Sequence, residues 1–239
     1  MINNREIKLI NSLKRKKNRI EEGLFVVEGE KNVEELIHSS FQIVDIYATN
    51  NWNSEVEHNI ISEKDLGRVS SLSTPNKVIA LVKTPKQSSI KTNITSLVID
   101  GVNDPGNLGT IIRTANWFGI NQVICSNNSV DKFNPKTIMA SMGSIFKTNV
   151  FYTDLKNYLK ESKLPVYGAL LEGDSIYDTS FNDPSILLLG SESHGISKEL
   201  IPLITNKTTI PGGENTESLN LGVSAAIYCS EYFRQRTSG

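Results

Sequence analysis

Three stretches of the chain combine residue types that can do chemistry, and each one lies at the end of an expected strand. In DGVNDPGNLGTIIRTANWFG (100–119), the turn residues Asn103, Asp104, Pro105 and Gly106 lead into a helix opened by Asn107, with Gly109 and Arg113 four residues apart. A helix N-terminus beside a guanidinium makes an anion site, because unpaired N–H groups and a fixed cation act together. An ordinary capped turn with a surface arginine accounts for this segment equally well. In LLLGSESHGIS (187–197), the run ends at Leu189 and Gly190, and Glu192 and Gly195 follow. Two glycines allow backbone to approach a ligand closely, and Glu192 adds a carboxylate. In TIPGGENTESLNLGVSAAIYCSEY (209–232), Ile210 and Pro211 precede a Gly212-Gly213 loop, and Ser218, Leu219 and Asn220 begin a helix rich in small residues. Core packing explains that helix but not the polar Ser218 and Asn220. Histidine and cysteine chemistry finds no support. His194 reads as a loop residue, His38 and His58 lack partners in sequence, and Cys125 and Cys229 sit in apolar runs without metal-ligand spacing.

A fourth feature is electrostatic. Lys14, Arg15, Lys16, Lys17 and Arg19 fall within six residues of a chain whose net charge is −1. Such a cluster is either a solvated helix end or a phosphate-contacting patch.

The elements that must position these residues divide into two patterns. Residues 3–19 place Ile7, Ile10 and Leu13 on one side of an amphipathic helix with a basic end. Apolar strands at 24–29, 41–49 and 76–84, with helices after the first two, make a β-α-β-type module over residues 1–85. The polar stretch TPKQSSIKTNITS (84–96) contains the linker, residues 86–95. From 96 to 239 strands and helices alternate, with strands at 96–101, 122–126, 148–152, 165–171, 186–190 and 207–210. A short helix is expected near 196–204, and Leu219, Val223, Ala226, Ile227 and Ser230 mark the inner face of a terminal helix. Short apolar strands separated by helices specify a mostly parallel α/β sheet covered on both faces. Such sheets bind ligands at the carboxyl ends of their strands, where all three stretches fall.

Composition narrows the class. Apolar content of 38% and charge of 21% suit a globular protein with a sizeable core. No apolar run reaches the roughly 18 residues of a spanning helix, and the start, MINNREIKLI, has no signal-peptide core. Two buried-type cysteines fit a reducing cytoplasm. No G-x-G-x-x-G follows any strand, which disfavours a Rossmann-type dinucleotide or methyl-donor site.

Taken together, in this order and spacing, the three stretches resemble the signature motifs of the SpoU (TrmH-type) RNA 2′-O-ribose methyltransferases of the SPOUT superfamily. The segment with Asn107 and Arg113 is similar to the first motif, Gly190/Glu192/Gly195 to the second, and Ile210-Pro211 through Asn220 to the third. The stretch FVVEGEKNVEEL looks like that family's smaller N-terminal α/β RNA-binding domain, similar in fold to a ribosomal RNA-binding protein. The resemblance implies a trefoil-knotted methyltransferase domain over 96–239, an exception to the rule that chains avoid knots. It also implies a homodimer and S-adenosylmethionine held by Leu189, Gly190, Glu192, Gly195, Ile210, Pro211 and Leu219. The substrate would be structured RNA, ribosomal rather than transfer RNA by analogy with the separate N-terminal domain. Lys14, Arg15, Lys16, Lys17, Arg19 and Arg113 are the expected RNA contacts, and no metal is called for.

By the same resemblance Arg113 is the catalytic residue, with Asn107, Ser218 and Asn220 orienting it and the ribose. Glu192 would anchor the site, with Arg113 its candidate ion-pair partner. A charged guanidinium has a pKa above ~12 and no acceptor, so Arg113 suits phosphate binding and alkoxide stabilisation better than proton abstraction. Two alternatives stay open on the sequence alone. One is an RNA-binding or ribosome-assembly factor with the same fold and no turnover. The other is a base methyltransferase on a related knotted fold, against which Ser218-Leu219-Asn220 argues.

Overall fold

The N-terminal apolar steps form two helices, not the single one expected over 3–19. In the computed structural model, which describes residues 2–213 and 218–237, α1 (Asn4–Ser12) starts from a reciprocal capping box between Asn3 and Glu6. It buries Ile7 and Ile10. α2 (Lys16–Glu22) follows an extended Arg15 and ends at Gly23 in the left-handed region, φ 63°. The break has a cause in Arg19, whose guanidinium folds back to donate to the carbonyls of Leu13 and Lys14 at 2.8 and 3.1 Å. Those carbonyls are therefore satisfied by a side chain instead of by a continuing helix.

The rest of the N-terminal half is β1 (Leu24–Glu28), α3 (Glu30–Ile37), β2 (Ile43–Ala48), β3 (Asn59–Ile60), α4 (Glu63–Val69) and β4 (Val78–Lys83). The order is β1-β4-β2-β3, with β4 antiparallel to β1 and β2, and the two-residue β3 parallel to β2. α4 begins at the capping Ser62, as its spacing to Asp65 predicts.

The C-terminal half is a six-stranded parallel sheet. Its elements are β5 (Ser96–Asp100), α5 (Pro105–Trp117), β6 (Gln122–Ser126), α6 (Pro135–Ser141), β7 (Asn149–Thr153), α7 (Leu155–Glu161), β8 (Val166–Ser175), β9 (Ile186–Gly190), β10 (Asn206–Thr209) and α8 (Leu221–Thr237). Strand order is β10-β8-β9-β5-β6-β7, and every pair is parallel. The crossover places β9 beside β5, with Asp100 opposite Gly190. Two stretches far apart in sequence thus end at one edge. The helix expected near 196–204 shrinks to a 3₁₀ turn at Ile201–Leu203, where Pro202 withholds a backbone donor.

The terminal helix forms with the opposite face inward. Leu221, Ala225, Tyr228, Cys229 and Tyr232 are buried, whereas Leu219 (46%), Val223 (48%) and Phe233 (40%) are exposed. The two tyrosines can turn inward because their hydroxyls find partners, Tyr228 with Thr208 Oγ1 at 2.7 Å and Tyr232 with Asp183 Oδ1 at 2.7 Å.

One apolar core runs through both halves, from Phe25 and Val33 to Leu97 and Ile111. At the seam Phe25 stacks on Phe133, ring centroids 4.2 Å apart, and Phe41 meets Phe146 edge-on at 5.2 Å. Among the described residues no helix is long and apolar enough to cross a membrane.

Candidate active site

α5 begins where the sequence places it, because Asp104 caps it and Pro105 fills its first turn. Asp104 Oδ1 accepts from the Asn107 amide at 2.8 Å. The Asn107 side chain is thereby held at the carboxyl edge of β5. There its Nδ2 donates to Glu192 Oε1 in a very short contact. Its Oδ1 accepts from Asn220 Nδ2 at 3.1 Å. Asn220 is itself oriented by α8, since its Oδ1 accepts from the Gly222 and Val223 amides at 2.9 and 3.3 Å. A directed relay, Asn220 to Asn107 to Glu192, therefore joins all three sequence stretches. Its terminus on an exposed carboxylate strengthens the last link.

The Glu192 loop is shaped by close backbone contact. Ser191 and Gly195 exchange both backbone hydrogen bonds at 3.0 Å, and Gly195 takes φ 64°. Gly190 has no room for a side chain: a Cβ there would lie 1.9 Å from the Gly195 carbonyl carbon and 2.1 Å from the Ile196 amide nitrogen. Asp100 Oδ2 accepts from the Ser197 amide at 2.7 Å and pins the far side of the loop to the end of β5. Asp100, Ser191 and Ser197 support the site without having been singled out in the sequence. Their signal is only their place beside strand ends.

Arg113 lies exposed on α5, without a side-chain hydrogen bond or ion pair among the described residues. The expected Arg113–Glu192 pair is not made; Glu192 is engaged by Asn107 instead. Gly109 does not share a ligand face with Arg113 either. It packs against α6, where a Cβ would lie 2.5 Å from the Thr137 carbonyl oxygen. Gly222, which the motif reading passed over, lets α8 sit against Thr110 of α5, 3.3 Å from a hypothetical Cβ. With Phe118, which caps α5, meeting Phe233 of α8 at 5.7 Å, the two helices run side by side in parallel.

Of the remaining site residues, Leu189 is buried in β9, and Ile210 and Pro211 follow β10. Ser218 and Leu219 are exposed ahead of α8, and residues 214–217 of that motif lie outside the described residues. Cys125 and Cys229 are fully enclosed, and burial pushes both thiols up to about 12, so neither supplies a thiolate. Among the described residues His194 bonds only locally, to Ser191 and Ser193.

Arg19 is the clearest departure from expectation. It is 4% exposed and paired to Asp131 at 2.5 Å, so it is no phosphate contact. Lys14, Arg15, Lys16 and Lys17 remain exposed, with Lys14 also donating to the Ser70 carbonyl at 2.9 Å.

A parallel α/β sheet, a polar relay joining three carboxyl-edge segments, and an arginine exposed on the helix that carries Asn107 define a class, and comparison with known proteins agrees. The chain belongs to the SpoU rRNA methylase family, whose model matches residues 95–230, while an MRM3-like substrate binding domain matches residues 4–80. Among its relatives is the 23S rRNA (guanosine(2553)-2′-O)-methyltransferase RlmP of Bacillus subtilis, 32% identical over 234 residues covering 94% of each chain. A TrmH-family protein of Porphyromonas gingivalis has a solved structure 36% identical, with TM-score 0.88 over 98% of this chain and 99% of that one. The AdoMet-bound rRNA methyltransferase of Sinorhizobium meliloti is 27% identical, with TM-score 0.86 over 98% and 96%.

Proposed function

We propose that the protein transfers a methyl group from S-adenosylmethionine to a ribose 2′-hydroxyl of ribosomal RNA. The observation that carries this reading is the Asn220–Asn107–Glu192 relay, with Arg113 exposed on the same helix as Asn107. The 23S rRNA substrates named for RlmP and for a Streptomyces viridochromogenes relative favour large-subunit RNA. The pinched loop at Gly190–Gly195 and the exposed Leu219 beside a polar network fit a nucleoside with one apolar face and one hydrogen-bonding edge. Leu189, Gly190, Glu192, Gly195, Ile210, Pro211 and Leu219 are the residues that would hold the donor, which supplies an electrophilic methyl group on a sulfonium. Arg113 holds the phosphate next to the target ribose and stabilises the alkoxide oxygen as its proton passes to solvent water. Asn107 and Asn220, locked in one relay, orient the ribose, with Ser218 beside them. Glu192 fixes the Asn107 amide.

In this reading residues 1–85 form the RNA-binding domain, 86–95 the linker and 96–239 the trefoil-knotted catalytic domain of a cytoplasmic enzyme. The decisive experiment is transfer of labelled methyl from S-adenosylmethionine to a 23S rRNA transcript, followed by mass-spectrometric mapping. Label on a base, or none on any RNA, sinks the proposal.

The enzyme acts as a homodimer. The dimer face consists of the exposed Val223 and Phe233 of α8 and Trp117 of α5, the last 80% exposed. The apolar residues Leu108, Ile111, Ile112 and Ala115 of α5 are buried in their own protomer and are not part of that face. Light scattering at micromolar concentration should give twice the 26.5 kDa chain mass. Val223→Glu combined with Trp117→Glu should reduce it to the monomer.

The exposed lysines supply RNA affinity through phosphate contact. Each neutralised phosphate steepens the fall of log K with log salt by roughly 0.7–0.9. Changing Lys14, Lys16 and Lys17 to Gln should flatten that slope by about two to three units while donor binding stays the same. An unaltered slope would return the cluster to a solvated turn.

A further inference from the structure

Arg19 belongs to the basic cluster by sequence but is turned away from it in the structure. Its Nε and Nη2 donate to Asp131 Oδ2 at 3.0 and 2.5 Å, while Nη1 holds the carbonyls of Leu13 and Lys14 at 2.8 and 3.1 Å. The side chain keeps 5% of its exposure. A buried ion pair is weak evidence for net stability, since a well-packed apolar pair often does as well. What it does supply is a fixed geometry, and both of its ends lie in informative places.

Asp131 follows β6 at the carboxyl edge of the catalytic sheet. The same loop is bound to the end of β5: the Val130 amide donates to the Val102 carbonyl at 2.8 Å, and the Val102 amide donates to Ser129 Oγ at 3.3 Å. Val102 lies two residues ahead of Asp104, the cap of the helix that carries Asn107 and Arg113. At the other end, the carbonyls held by Arg19 open the exposed run Lys14–Lys17. One guanidinium thus joins the backbone of the basic turn to the loop framing the site. Around it the seam is rigid. Phe133, two residues past Asp131, stacks on Phe25 at 4.2 Å. Lys147 pairs with Glu35 at 2.6 Å, and Gly143 leaves no space against that glutamate, a Cβ there falling 2.6 Å from Glu35 Cβ.

We propose that Arg19 and Asp131 are positioning residues that hold the Lys14–Lys17 turn at a fixed span from Arg113. An RNA anchored by its phosphates on that turn then presents only the ribose lying at that span. This inference rests on the RNA-methyltransferase reading above.

The test compares wild type with Asp131→Asn, which keeps the oxygen that accepts from the Phe133 amide at 3.2 Å, and with Arg19→Met. Each is assayed on a long rRNA transcript and on a short fragment around the mapped ribose that is too small to reach the basic turn. On the transcript kcat/KM should fall about ten- to a hundred-fold, the scale of an ångström-sized misplacement. Label should also spread to neighbouring riboses. On the fragment kcat/KM should match wild type, and the salt slope of RNA binding should stay unchanged. Equal losses on both substrates would reduce the pair to a structural role and overturn the proposal. So would an undiminished rate on the transcript. Arg19→Lys keeps the ion pair but cannot reach all its acceptors; it should lie between, and it carries the test if either other variant fails to fold. Wild-type protein that methylates neither substrate would overturn the parent reading and this inference with it.

Discussion

Arg113→Ala should lower kcat by about a hundred- to a thousand-fold, the usual cost of removing one preorganised donor from a developing oxyanion. Binding of S-adenosylmethionine, measured by calorimetry, should stay within a few-fold of wild type. The reason for the split is position. Arg113 is exposed on α5 and makes no side-chain hydrogen bond or ion pair among the described residues, so its loss leaves the relay and the Gly190 loop intact. Stability should therefore hold as well. Arg113→Lys should rescue little, because one ammonium does not reproduce a bidentate fork on phosphate and alkoxide. Single-turnover rates in RNA excess separate the chemical step from RNA binding. A lysine variant with near-normal turnover would remove Arg113 from the role given to it here.

Gly190→Ala should be the most damaging conservative change in the site. The added methyl would be driven into the backbone at Gly195 and Ile196, which cannot rotate away as a side chain would. The 191–195 hairpin must then open, breaking the paired Ser191–Gly195 hydrogen bonds and moving Glu192 off Asn107. Overpacking of this severity costs about 3 kcal/mol. For a chain of this size that is roughly 6–12 °C in Tm. Donor binding should fall below detection in the same variant, because the loop that would hold it is displaced. Gly212→Ala is the control: among the described residues nothing lies within 4 Å of its hypothetical Cβ, so both Tm and donor affinity should be unaltered. Intact donor binding by Gly190→Ala would mean that the loop is not part of the donor site.

The strands and caps of this protein were legible because their causes are local. Apolar runs such as SLVID and ILLLG, short and bounded by turn residues, read as buried strands, and Asp104-Pro105 or Ser62 with Asp65 read as helix starts. The three motifs were legible for the same reason, since each is a strand end with its turn. Their convergence was not. Asn107 and Glu192 are 85 residues apart and Asn107 and Asn220 are 113 apart, so the relay comes together only through the placement of β9 next to β5 and of α8 along α5. Burial of polar residues was equally hidden. Leu219, Val223 and Ile227 form as good an apolar stripe as Leu221, Ala225 and Tyr228, and the choice between them depended on hydroxyl partners at Thr208 and Asp183. Arg19 looks like its basic neighbours in sequence, yet a carboxylate supplied from 112 residues away draws it inside. Periodicity and charge type come from the chain alone; which face or charge turns inward depends on partners that only the tertiary fold supplies.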